Sequence, residues 1–206
     1  KKGIEELLQA IALCPQVEQL IIGGRGEAAY ETLLKQQIAE LHLEDKITFA
    51  GWVSDAEKAE FFKKFQVFIL PSFNENFANV VAEAWAAGKP VIVSSEVGIS
   101  SFVEQHNLGW ICSAETHSIA SSIRQALEEK DAWPFMGEAA LKLVRDQFTN
   151  DSIVAQYSSM YHQVVATAKS VPNAGALQQV PASTDIYILG INAHHADASA
   201  AILKNG

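Results

Sequence analysis

The sequence predicts an α/β fold built on a doubly wound, Rossmann-like parallel sheet. Three observations carry that prediction. Short β-branched and aliphatic runs alternate with helical patterns over the first 112 residues. The runs are apolar throughout, as in strands buried on both faces, and do not alternate as a half-exposed strand would. Glycine or proline closes most of them. Such an alternation gives a parallel sheet with helices on both sides, and 206 residues of which 49% are apolar suffice to bury one such core.

Taken in order, Ile4, Leu7, Leu8 and Ile11 show the i, i+3, i+4, i+7 spacing of an amphipathic helix over 4–13. Residues 17–22 (VEQLII) read as a strand running into the loop Gly23-Gly24-Arg25-Gly26. A second helix carries Tyr30, Leu33, Leu34, Ile38 and Leu41 on one face, and 46–50 (KITFA), closed by Gly51, is the next strand. Ser54 followed by Glu57 has the form of a capping box, opening a helix to about Lys64. The apolar strand 67–70 stops at Pro71-Ser72. A helix over 79–87 ends at Gly88-Lys89-Pro90. Strand 91–94, a short helix over 99–104 and strand 110–112 follow, and then helices at about 118–130, 134–147 and 151–168. Ligands of such sheets sit beyond the carboxyl ends of the strands. The loops after Ile22, Ala50 and Leu70 are therefore where chemistry is expected.

Composition changes near Thr167. Residues 168–184 hold two prolines, a glycine and small polar residues, which reads as a linker. Residues 185–206 read as a strand, a His-rich turn and the start of another strand, too few to bury a core of their own. The predicted organisation is thus a domain over 1–167, a linker over 168–184 and a hairpin or the start of a further domain over 185–206. The chain opens on Lys1-Lys2-Gly3 and goes directly into a helical pattern, without a leader peptide or a leading strand. It is expected to begin within a longer protein.

A net charge of −9 argues against a nucleic-acid partner, which calls for a basic face. No apolar run approaches the roughly 20 residues that span a bilayer. Cys14 and Cys112 lie in apolar contexts and are expected to be buried packing thiols. Trp52 and Trp85 are expected to pack in the core or at its rim, and Arg25 to be solvated. His42, His106, His117 and His162 are scattered, without ligand spacing, and are expected at the surface.

The most informative stretch is 71–90, PSFNENFANVVAEAWAAGKP. It is a strand end, a polar turn and a helix whose first amides lack intrahelical partners. Those amides and the positive end of the helix dipole favour an anion around residues 76–80. Glu75 precedes the helix and Glu83 lies on it, with seven residues between them. Sugar or ribose hydroxyls donating to these carboxylates would explain acidic groups beside an anion site. Read on spacing alone, they are equally a helix-start charge and a solvated helix residue.

This stretch resembles the signature of retaining GT-B glycosyltransferases of family four, the glycosyl transferases group one: Pro-Ser, a glutamate, a Phe-containing turn, a second glutamate, then Ala, Gly and Pro. Lys2-Gly3 before Leu7-Leu8-Gln9-Ala10 is similar to the family's opening, residues 20–26 to its strand and glycine turn, 48–53 (TFAGWV) to its next element, and Val97-Gly98 with Glu104 to a later one. The resemblance runs in order over residues 2 to about 165 and implies the C-terminal half of a GT-B fold. It implies that Lys2 contacts the donor diphosphate and Glu75 the donor sugar near the reacting centre. It likewise implies that the turn Asn76, Phe77, Ala78, Asn79 and Val80 holds sugar and phosphate, that Glu83 binds ribose, and that Gly24, Trp52 and Val53 line the donor site. Two departures stand out. Asn76-Phe77-Ala78 replaces the usual Gly-Phe-Gly, where Asn76 is acceptable if it adopts a left-handed or turn conformation. The strand upstream of Lys2, with its arginine, and the N-terminal acceptor domain are absent from these residues.

His194, His195 and Asp197 form either an exposed polar turn or a metal-ligating group. Residues 188–206 resemble the N-terminus of an O-carbamoyltransferase, which would make the parent a fusion. The function expected is transfer of a sugar from a nucleoside-diphosphate sugar to an acceptor hydroxyl with retention, in polysaccharide or glycolipid biosynthesis. The acceptor glycan or lipid-linked sugar would be held by the missing domain, at the cytoplasmic membrane face. No cofactor and no metal are expected, since no Asp-x-Asp motif is present. The alternatives are a non-catalytic nucleotide-sugar-binding module and a GT-B nucleotide-sugar epimerase.

Overall fold

A computed structural model describes residues 1–170, 187–192 and 199–204. The chain divides into two compact units, Lys1–Ala155 and Gln156–Gly206.

In the first unit, helix α1 (Ile4–Ala12) buries Leu7, Leu8, Ala10 and Ile11, the stripe its spacing predicts. Strand β1 (Leu20–Gly23) begins three residues later than expected. The N–H of Val17 is donated to the Cys14 carbonyl (3.1 Å), so a turn around Pro15 still occupies the chain there. There follow α2 (Ala28–Glu40), β2 (Ile47–Gly51), α3 (Asp55–Phe62), β3 (Phe68–Leu70), α4 (Asn79–Ala86), β4 (Val91–Ser94), α5 (Ser100–His106), β5 (Gly109–Cys112), α6 (Thr116–Glu128), a 3-10 turn at Lys130–Ala132 and α7 (Trp133–Gln147). The capping box opens α3 as expected, with the Ser54 N–H donating to Glu57 Oε2 at 3.0 Å.

All strand pairs of this unit are parallel, and helices cover both faces. Ile69, Ile92, Trp110 and Cys112 look toward α1 and α6, in a core with Leu8, Ile11 and Ile119. Phe68, Leu70, Val91 and Val93 look the other way, toward Val81, Trp85, Val103 and Leu143. This is the doubly wound layering expected of apolar strands. Cys14 and Cys112 are buried free thiols, and burial pushes the Cys112 thiol up to about 11. His42, His106, His117, His162 and Arg25 are exposed, as read from the sequence.

The sheet comes in two sections, β1-β2 and β3-β4-β5. Between β1 and β3 runs a cavity of about 1100 Å³, bounded by Leu20–Gly24 and Val67–Pro71 and lined by Ile4, Leu7 and Ile11 of α1 and by Phe61, Phe62 and Phe65. The Leu20 N–H is donated to Lys46 and the Phe68 N–H to Pro90, both on the outer sides. Because peptide groups alternate along a strand, those of Ile21 and Ile69 point inward, to the cavity.

Helix α8 (Asn150–Ser170) runs three residues into the expected linker. In the second unit β6 (Tyr187–Asn192) pairs antiparallel with β7 (Ser199–Lys204), Ile188 opposite Leu203. The two strands read from the sequence are thus present and paired. The rest of the linker and His194, His195 and Asp197 lie outside the described residues.

Candidate functional site

The loops that follow β1, β2, β3 and β4 lie at the carboxyl edge of the sheet, and backbone contacts join those after β1 and β2 to each other and those after β3 and β4 to each other. The Gly24 N–H, at φ 122°, is donated to the Gly51 carbonyl at 2.7 Å. The Phe73 N–H is donated to the Lys1 carbonyl at 3.0 Å. Gly3, at φ 67°, lies so close to β3 that a Cβ there would stand 2.1 Å from the Pro71 carbonyl oxygen. On the other side, the Glu75 N–H is donated to Glu96 (3.1 Å) and the Gly98 N–H to Glu75 (2.9 Å). The buried Ser94 hydroxyl is donated to the Ser72 carbonyl. The segment carrying Glu75 is thus held from two directions, by the chain before α1 and by the loop after β4.

That clamping brings together residues far apart in sequence. The Lys2 ammonium pairs with Glu75 Oε2, with the lysine side chain 48% exposed and the glutamate 19%. Ala78 caps α4 in a left-handed conformation (φ 61°, ψ 70°) and is buried. Its carbonyl takes the Val81 N–H at 2.8 Å. The amides of Asn79 and Val80, in the first turn, are those the helix itself does not pair. Glu83 follows Asn79 by one helical turn, on the same face. Its Oε1 accepts from Lys58 at 2.8 Å, and Lys58 also reaches Asp55 Oδ1 at 2.9 Å. The hydrogen bond to Glu83, and then that to Asp55, raises the Lys58 pKa above its ordinary value.

Of the residues singled out in the sequence, Lys2, Gly24, Trp52, Val53, Asn79, Val80 and Glu83 line the cavity, and Glu75 joins them through Lys2. Phe77 turns elsewhere, its ring 5.9 Å from that of Phe148. One expectation needs correcting. Trp85 is fully buried as anticipated, but Trp52 is 69% exposed, because Gly51, at φ 68°, turns the chain outward there. Asn76 lies in a bend, and the left-handed residue of the turn is Ala78, at the helix cap. Lys58 was missed: nothing local marks it, as its partner Glu83 lies 25 residues on. Among the described residues no group of three or more His, Cys, Asp or Glu is placed to hold a metal ion, and no helix is long and apolar enough to cross a membrane.

The site thus offers a cation, a helix start and two carboxylates at the carboxyl edge of a parallel sheet, the arrangement of an α/β nucleotide-binding half. Solved structures of like architecture are GT-B glycosyltransferases. Sucrose-phosphate synthase from Thermosynechococcus elongatus superposes with a TM-score of 0.68 at 28% identity, over 81% of this chain and 43% of that one. Anabaena Alr3699/HepE, in complex with UDP and glucose, does so with a TM-score of 0.65 at 26% identity, over 82% and 45%. Residues 1–143 match the family described as Glycosyl transferases group 1, and the chain belongs to that family. The N-acetyl-alpha-D-glucosaminyl L-malate synthase of Bacillus anthracis is 30% identical over 172 residues, which are 82% of this chain and 44% of that protein. The chain spans less than half the length of each of these three proteins.

Proposed function

We propose that this chain is the donor-binding half of a retaining glycosyltransferase that passes a sugar from a nucleoside-diphosphate sugar to an acceptor hydroxyl, in polysaccharide or glycolipid assembly. The observation that carries the proposal is the meeting of Lys2 and Glu75 at the mouth of the cavity that Asn79, Val80 and Glu83 also line. Lys2 and the amides of Asn79 and Val80 stabilise the diphosphate, whose negative charge grows as the bond to the sugar breaks. Glu75, paired to Lys2, accepts from a sugar hydroxyl and fixes the sugar against the departing phosphate. Glu83 accepts from the ribose, and Trp52 and Val53 flank the base. With charge neutralised by protein groups, the transfer needs no divalent ion. Positioning and leaving-group electrostatics supply the rate, and Glu75 is not a covalent nucleophile.

HepE, similar in fold, is known in complex with UDP and glucose, which supports such a donor here. The acceptor side belongs to the part of the protein beyond these residues. In the complete protein we further propose that the gap between β1 and β3 holds one more parallel strand, leading into Lys1. The resemblance of residues 188–206 to an O-carbamoyltransferase extends the proposal to a fused second enzyme.

The test is Glu75→Gln in the complete two-domain protein, followed by donor hydrolysis and sugar transfer. The expected result is a loss of about 100-fold or more in turnover, with nucleoside-diphosphate affinity kept within a few-fold. If the complete protein binds UDP or GDP but turns over neither activity, it is a nucleotide-sugar-binding module.

A further inference from the structure

Lys58 stands between two carboxylates, and its two contacts are not equivalent. Asp55 is 96% exposed, so that arm is a solvated surface pair of small effect. The arm to Glu83 joins two side chains that are each about one-third exposed and that line the same cavity as Trp52, Val53, Asn79 and Val80. It also ties α3 to α4, so the helix behind the Trp52 loop is fixed against the helix that carries the amides.

The spacing along α4 gives this contact a direction. Glu83 lies four positions after Asn79, which is about 6 Å along a helix axis. That is the order of the reach from a 5′-phosphate across a ribose to its 2′- and 3′-hydroxyls. A carboxylate at that point is useful only if it is oriented and if its charge does not oppose the diphosphate one turn away. Lys58 satisfies both requirements. It engages Oε1 alone, leaving Oε2 to accept, and its charge offsets that of Glu83.

We propose that Lys58 is a positioning residue for the nucleoside end of the donor, holding the Glu83 carboxylate so that its free oxygen accepts from the ribose diol and sets the preference for a ribonucleotide over a 2′-deoxyribonucleotide. This rests on the donor reading given above. Lys58 touches no reacting atom. It acts through Glu83.

The experiment is calorimetric titration of the 206-residue chain with UDP, UMP, GDP and the 2′-deoxy forms of UDP and GDP, comparing wild type with Lys58→Met and Lys58→Arg. The expected result is that Lys58→Met weakens UDP and UMP alike, by about tenfold, and brings the ribose-to-deoxyribose ratio close to one. Lys58→Arg keeps a cation within reach of Glu83 and restores most of that preference. A merely structural tie between α3 and α4 would lower the melting temperature and leave the ratio unchanged, and that outcome overturns the proposal. A loss confined to the diphosphates, with the ratio intact, also overturns it, because Lys58 would then be a phosphate ligand. Wild-type chain that binds neither UDP nor GDP speaks against the donor reading itself, a result distinct from an intact ratio in Lys58→Met.

Discussion

Gly98→Ala is the sharpest single perturbation of the site, although residue 98 bears no side chain to touch a ligand. A Cβ at that position would stand 1.7 Å from the Asn76 carbonyl oxygen and 2.9 Å from its carbonyl carbon. Ordinary contact begins at 3.4 Å, so the two loops must part by roughly 1.7 Å, more than the displacement of about 1 Å that costs about 100-fold in a positioned reaction. The opposing partner is backbone, so no side-chain rotation relieves the clash. The separation breaks the 2.9 Å bond from the Gly98 N–H to Glu75 and strains that from the Glu75 N–H to Glu96. Losing one such bond costs about 1 kcal/mol. Glu75 moves with its backbone, and its carboxylate leaves Lys2. The expected outcome in the complete protein is a fall of about 100-fold in transfer, with a drop in melting temperature of only about 2–4 °C. Transfer within threefold of wild type in a folded variant would refute the claim that this clamp sets the place of Glu75.

Three further expectations follow from the same structure. Ala78→Gly relieves a left-handed conformation that costs an L-residue about 1 kcal/mol, so it should raise the melting temperature in thermal unfolding by about 2–4 °C; a lower value would show that the buried Ala78 methyl contributes more than the strain. Ser54→Ala removes the N-cap of α3 and should lower the melting temperature by about 2–4 °C at neutral pH. The Ser54 hydroxyl and then its N–H hold the Glu57 pKa below its ordinary value, so this contribution is present above that value and lost as pH falls through the depressed one; the gap between wild type and variant should close in acid melts. Finally, fusing about five valine and isoleucine residues ahead of Lys1 should slow amide exchange at both Ile21 and Ile69 by at least about tenfold, while a proline-containing extension should not; equal exchange in the two fusions would count against a strand between β1 and β3.

Most of the fold was legible because its signals are local. The apolar stripe of α1, the capping box at Ser54 and Glu57 and the unbroken apolar runs at β3 and β4 each lie within a few residues. Boundaries were less so: β1 starts at Leu20 because the turn around Pro15 extends over Val17, a β-branched residue whose propensity points the other way. The site was legible where a side chain announces chemistry, as at Glu75 and Glu83 near a helix start. It was not legible where the partner is distant or is backbone. Lys58 lies in an ordinary charged helix, and its importance rests on a contact with Glu83 across two elements. Ala78 takes the left-handed conformation, although asparagine, present at 76 and 79, is the commoner left-handed residue. Trp52 has the size of a packing residue, yet Gly51 turns it outward. The break between β1 and β3 is visible only in three dimensions.

The most direct measurement is an amide-resolved NMR titration of the chain with UDP and with GDP. The account predicts shifts gathered at Lys2, Gly24, Val53, Asn79, Val80 and Glu83, for at least one of the two nucleotides. Shifts confined to residues away from the carboxyl edge of the sheet, or no shift with either nucleotide at millimolar concentration, would contradict it.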